Sequence, residues 1–220
     1  MIPIKDENPT QIIPYVTFGL IFINLAVYIY QLTLDPRQEM YFVYHYGAVP
    51  ALLTGQAQVN LQDTMIPWPL TLITSAFLHG GLFHLAGNML YLWIFGNNIE
   101  DALGHVKFIV FYLVGGVLAG LAHVATNPAS PLPMIGASGA IAAVLGAYLV
   151  LYPRANVVIM VFLFFIVQLV KVPAVVVLMV WFFLQIVGGG EGVAWMAHVG
   201  GFVAGMLLIH LFNPRPVVLR

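Results

Sequence analysis

The 220-residue chain contains no cysteine, which excludes disulfides, thiolate zinc sites and a cysteine nucleophile. Charge is scarce as well. Only 7% of residues are Asp, Glu, Lys or Arg, against roughly 25% in ordinary soluble domains. The seven Lys and Arg are scattered and the net charge is −1, so no basic stripe exists for a phosphate backbone and nucleic acid is not an expected partner. No HExxH sequence occurs, which leaves a zinc-protease site without support. Gly136-Ala137-Ser138-Gly139-Ala140 misses the G-x-S-x-G elbow by one position, and no strand–helix alternation suggests an α/β-hydrolase.

What is present is apolar. At 61% hydrophobic residues, the chain has more apolar surface than a soluble fold of this size can hide. A membrane-spanning helix needs about 20 apolar residues, because the hydrocarbon layer is roughly 30 Å thick and a helix rises about 1.5 Å per residue. The expected fold is therefore an all-α polytopic membrane protein with room for about six transmembrane helices. It is read as one domain over 1–220, with short tails at 1–12 and 213–220. The N-terminus lacks the small-residue cleavage pattern of a signal peptide, so the first span is expected to stay as an anchor.

The spans follow from interruptions by charge, Pro and Gly. Pro14 to Leu32 is the first, and Thr33 to Pro69 is a structured loop lying partly in the interface, where Tyr and Trp are favoured. The second is placed at Leu82 to Leu103, ending at Gly104, and the third at Val106 to Ala125. Thr126 to Pro133 carries three prolines and cannot continue a helix, so the fourth span begins near Gly136 and ends at Tyr152-Pro153. Pro173 to Val187 is the fifth and Ala194 to Phe212 the sixth, with Gly188 to Gly192 as a flexible loop between them. Val157 to Val170 is a membrane-associated segment whose path the sequence leaves open. With the N-terminus inside, Lys5, Lys107, Arg154, Lys171, Arg215 and Arg220 are cytoplasmic and only Arg37 is outside, as the bias of Lys and Arg toward the cytoplasm requires.

In that arrangement the second, fourth and sixth spans start at the outer face. Ser138 lies about two residues into the fourth, His198 about four into the sixth, and His84 and Asn88 about two and six into the second, roughly 3 to 9 Å below the helix starts. Three helices deliver these groups to one level. A serine hydroxyl needs a base to become a nucleophile, and a neutral imidazole is the usual one, so Ser138 and His198 are a candidate dyad. Neither is charged at rest, which suits a membrane interior. The reaction also needs donors for a developing oxyanion. His84 and Asn88, four residues apart, share a helix face, and the start of the fourth span offers free backbone N–H groups. Small residues point the same way: Ser138, Ala142 and Gly146 on the fourth span, Gly201 and Gly205 on the sixth, at spacings that let lipid-embedded helices approach closely. Taken singly, each feature has a plainer reading. A Ser near a helix start is more often a cap, and an intramembrane His more often bonds a neighbouring helix.

The combination resembles the rhomboid intramembrane proteases. The residues that carry the likeness are Gly136-Ala137-Ser138-Gly139, Ala197-His198-Val199-Gly200-Gly201, the stretch Phe77 to Asn88 with His84 and Asn88, and Glu100 before Gly104. The resemblance implies a serine endopeptidase that cuts other membrane-spanning segments, with Ser138 as nucleophile and His198 as base, and no metal or organic cofactor. It implies an oxyanion hole of His84, Asn88 and the Ser138 backbone N–H, and a water-filled cavity open to the outer face. It further implies that the loop at Gly188 to Gly192 is a cap and the fifth helix a lateral gate. Two departures stand out. Ala142 holds a position that is aromatic in some members, so His198 must be oriented by other neighbours, and Trp68-Pro69 stands where many members carry a Trp-Arg pair. Partners are expected to be transmembrane protein substrates and the lipid bilayer, in a prokaryotic plasma membrane. Nothing in the sequence fixes an oligomeric state. The rival reading is a non-catalytic rhomboid-like chaperone or retrotranslocation factor, whose known examples usually lack the Ser or the His.

Overall fold

The structure, a computed structural model, describes residues 2–57, 66–163, 166–187 and 194–212. Helices dominate. Those of ten residues or more are α1 (Tyr15–Gln31), α2 (Pro36–Tyr46), α3 (Leu82–Leu103), α4 (His105–Thr126), α5 (Ser138–Leu151), α6 (Ala174–Val187) and α7 (Trp195–Leu211), with short helical turns at Pro50–Leu53 and between Trp68 and Phe77. All six expected apolar helices lie within a few residues of their sequence boundaries, because the Pro, Gly and charged residues that end them are strong local stops. At Gly104 the reason is geometric: it closes α3 with φ +77°, a left-handed conformation that a side chain would strain. Among the described residues, α4 alone is long and apolar enough to cross a membrane as a single helix. Trp68–Phe77 and Leu82–Leu103 reach that length and hydropathy only when taken together, as a pair bent by 85°, and the other four apolar helices run 14 to 17 residues.

Two regions expected to be loop or undefined path have regular structure. The membrane-associated segment is a β-hairpin of β2 (Asn156–Leu163) and β3 (Ile166–Pro173), and the N-terminal tail supplies β1 (Ile2–Asp6), antiparallel to β2, in the order β1-β2-β3. The helical bundle is therefore accompanied by a three-stranded sheet that the all-α reading did not include. The β-branched run Val157, Val158, Ile159 and Val161 suits a pleated surface as well as a helix, so hydropathy alone misassigns it. Within the first loop, Asp35 caps α2 by accepting from the backbone N–H of Arg37 and Gln38, and its own N–H donates to Gln38 Oε1. The calls on Gly188 to Gly192 and on the tail from 213 lie outside the described residues.

α5 is the hub. Every residue from Gly139 to Tyr148 is buried, which is why this helix is apolar all round instead of on one stripe. Its tightest seam is with α7, where a Cβ added at Gly205 would overlap the Ala143 backbone, one at Gly146 the Phe202 carbonyl, and one at Gly201 the Gly139 carbonyl. In lipid there is no hydrophobic force between helices, so such backbone approach supplies the van der Waals contact that holds them. α1 shows the complementary device. Thr17, Asn24 and Gln31 recur every seven residues on one buried face. There Thr17 Oγ1 and the backbone N–H of Val16 and Thr17 all donate to the fully buried Glu100 carboxylate at 2.7 to 2.9 Å, and His105 Nδ1 donates to it at 2.6 Å. Glu100 thus caps α1 from another helix, placing a negative charge at its positive end.

Candidate active site

The loop before α5 determines where the candidate nucleophile sits. Ala48 and Met134 exchange two backbone hydrogen bonds, Thr54 Oγ1 donates to the Pro128 carbonyl at 2.7 Å, and the Gly136 N–H donates to the Ser75 carbonyl at 2.8 Å. Instead of a Trp-Arg pair, this backbone stitching fastens the first loop to the site. Gly136 then takes φ +120° and lies against the His84 ring, where a Cβ would come within 2.7 Å of Cε1. Only glycine serves both needs. Ser138 follows as the first residue of α5, with no side chain capping that terminus, so its leading N–H groups remain available.

Ser138 and His198 meet. His198 Nε2 is 2.7 Å from Ser138 Oγ, a hydrogen bond across the α5–α7 seam, and both side chains are half-buried. The second ring nitrogen is also engaged: Nδ1 lies 2.7 Å from Gln185 Oε1 on α6. A carbonyl oxygen only accepts, so Nδ1 carries the proton and Nε2 is free to accept from the Ser138 hydroxyl. Trp181 flanks the imidazole with ring centroids 6.1 Å apart. Ala142, fully buried against Gly201, leaves no room for an aromatic at its position.

His84 and Asn88 line the same cavity as Ser138, His198, Trp181 and Gln185, in a volume of about 230 Å³. At about 30 Å³ per molecule, that space holds several waters. Asn88 is 8% exposed and is held from behind: its Nδ2 donates to His79 Nε2 at 2.9 Å, which leaves its second N–H for the cavity. His79 is fixed in turn by Gln31, whose Nε2 donates to the His79 carbonyl and whose Oε1 accepts the His79 N–H, at 3.1 and 3.0 Å. All four residues singled out in the sequence therefore share one cavity. The supporting residues Gln31, His79 and Gln185 were missed. For Gln185 the available signal was a lone amide in an otherwise apolar helix, since a polar group there is costly without a partner.

The chain matches the family described as Rhomboid domain over residues 68–215. It is 33% identical over 111 residues to Rhomboid protein 1, mitochondrial, of Saccharomyces cerevisiae, covering 49% of this chain and 32% of that protein. It is 37% identical over 90 residues to Presenilin-associated rhomboid-like protein, mitochondrial, of Homo sapiens, covering 40% and 24%. With Rhomboid protease GluP of Bacillus subtilis it shares 42% over 78 residues, covering 36% and 15%. The matched stretches thus span about a third or less of these relatives. The chain belongs to the membrane-embedded rhomboid family.

Proposed function

Starting from that membership, we propose that this rhomboid-family chain is an intramembrane serine endopeptidase that hydrolyses peptide bonds in or near transmembrane segments of other proteins. The observation that carries the reading is the 2.7 Å bond from Ser138 Oγ to His198 Nε2, in a cavity that also holds Asn88 and His84. The nucleophile and its base are already within hydrogen-bond reach. Ser138 Oγ attacks the substrate carbonyl while His198 Nε2 takes its proton. The oxyanion is met by Asn88, His84 and the Ser138 N–H at the uncapped start of α5. His198 then hands the proton to the leaving amine, and a cavity water attacks the acyl-Ser138 ester, restoring the enzyme. The chemistry needs no metal or organic cofactor.

We read all six apolar helices as transmembrane. The short α5, about 21 Å at 1.5 Å per residue, starts at the site itself, below the outer surface, and the cavity above it admits water. The N-terminus is then cytoplasmic and the cavity opens outward. The partners are single-span membrane proteins and lipid. Two of the three relatives described above are named mitochondrial, which does not fit the expected prokaryotic plasma membrane, and the third is bacterial; the same fold suits either kind of membrane.

The test is cleavage of a model single-span substrate in liposomes by wild type, Ser138→Ala and His198→Ala. Wild type is expected to cut and both variants to give only background. Equal cutting by Ser138→Ala would remove the nucleophile, and folded wild type inert toward several unrelated substrates would favour the non-catalytic scaffold.

A further inference from the structure

A base that must accept from Ser138 through Nε2 has one useful neutral tautomer, with the proton on Nδ1. Something must hold that proton and stop the ring rotating. Gln185 is placed to do both. Its Oε1 lies 2.7 Å from His198 Nδ1, while its Nε2 donates to the Trp181 carbonyl at 3.2 Å. The second bond settles which end of the amide faces the imidazole, because the Trp181 carbonyl can only accept and must therefore meet the NH₂ end. Trp181 and Gln185 are four residues apart on α6, so their side chains share the face that lines the cavity. The other thirteen residues of α6 are Ala, Val, Leu, Met, Ile, Phe and Trp, so Gln185 is the one amide on the helix. It is also neutral, and gives the ring an acceptor without placing a charge in lipid.

We propose that Gln185 is the positioning residue of His198, holding the proton on Nδ1 and the ring in plane with Ser138. The proposal rests on the reading of Ser138 and His198 as a catalytic dyad. It makes α6 part of the site's geometry: the dyad itself spans α5 and α7, and its orientation is set from a third helix.

The test compares wild type, Gln185→Leu and Gln185→Glu in liposomes, measuring kcat and KM separately and kcat/KM against pH, with thermal unfolding of each variant recorded. Gln185→Leu keeps the size and loses the acceptor. It is expected to lower kcat roughly 10- to 100-fold with KM within about twofold and an unchanged unfolding midpoint. Gln185→Glu restores the acceptor and adds a negative charge that favours the imidazolium, so it is expected to recover most of the high-pH rate while moving the acid limb of kcat/KM up by about one pH unit. His84 on α3, which lines the same cavity, and His123 on α4 also act on His198 electrostatically, and both are the same in all three proteins. A Gln185→Leu variant with wild-type kcat, or a Gln185→Glu variant with the wild-type pH profile, would overturn the proposal. If Ser138→Ala and His198→Ala abolish cleavage in the same assay, such a result removes the role of Gln185 and leaves the dyad standing. Cleavage by those two variants would remove the dyad itself.

Discussion

The two helices that flank α7 at the site are held in opposite ways. On one side, α5 meets α7 backbone to backbone, with Gly146, Gly201 and Gly205 each admitting no Cβ. On the other, α6 buries only Ala174 and Leu178 and presents Val176, Met179, Val180, Phe183, Leu184 and Val187 outward. The bond between nucleophile and base crosses the tight seam, while the bond that orients the base crosses the loose one. Close packing fixes position to a fraction of an ångström, so the site joins a tightly packed pair to a partner that buries far less of its surface.

The comparison breaks most severely at the seam. Gly205→Leu is expected to force α5 and α7 apart and destabilise the fold by about 3 kcal/mol or more, the upper end for an overpacked core, so that folded yield and cleavage fall together. Size-exclusion profiles and thermal unfolding read this, and a well-folded, active Gly205→Leu would show that the seam is not tight. Inside the cavity the expected effect is chemical. Asn88→Ala is expected to slow kcat roughly 10²-fold, as for one oxyanion donor, with unfolding little changed. A kcat near wild type would remove Asn88 from the oxyanion hole.

A smaller effect belongs to the sheet beneath the bundle. Burial pushes the Asp6 carboxyl up to about 6, partly offset by the Tyr148 hydroxyl that donates to it at 2.7 Å. An acid whose folded value is raised stabilises the fold fully below its unfolded value near 3.8, and that contribution is lost as pH rises through about 6. The loss expected between pH 4 and pH 7 is on the order of 2 kcal/mol, and Asp6→Asn should flatten that slope in thermal unfolding against pH. A slope the same in both proteins would show that Asp6 does not titrate in this window. Smallest of all, Phe183→Ala on the outward face of α6 should change stability by less than about 0.5 kcal/mol, as surface positions do. A loss of several kcal/mol would mean that α6 is no less firmly packed than α5.

Much of this was legible in the sequence because its stops are strong and its polar residues few. Gly104, the prolines between Pro128 and Pro133, and Pro153 end helices for local steric reasons, so the helix bounds emerge within a few residues. Ser138, His198, His84 and Asn88 could be picked out because so little else in the spans is polar. The hairpin from Asn156 to Pro173 was not legible, since Val and Ile runs suit a buried strand and a lipid-facing helix equally and only pairing with the N-terminal strand distinguishes them. The long-range polar pairs were hidden for a related reason. Glu100 caps a helix that begins 85 residues earlier, and Gln31 fastens His79 across 48 residues, distances at which no periodicity speaks.

The central claim is that Ser138 is made nucleophilic by His198. The most direct measurement is covalent capture by a fluorophosphonate probe in membranes or detergent, followed by mass spectrometry of the modified peptide. The account predicts a single phosphonyl adduct on Ser138 in wild type, absent in Ser138→Ala and suppressed in folded His198→Ala. An unmodified Ser138 in folded wild type, or labelling of Ser138 at the same rate without His198, would contradict it.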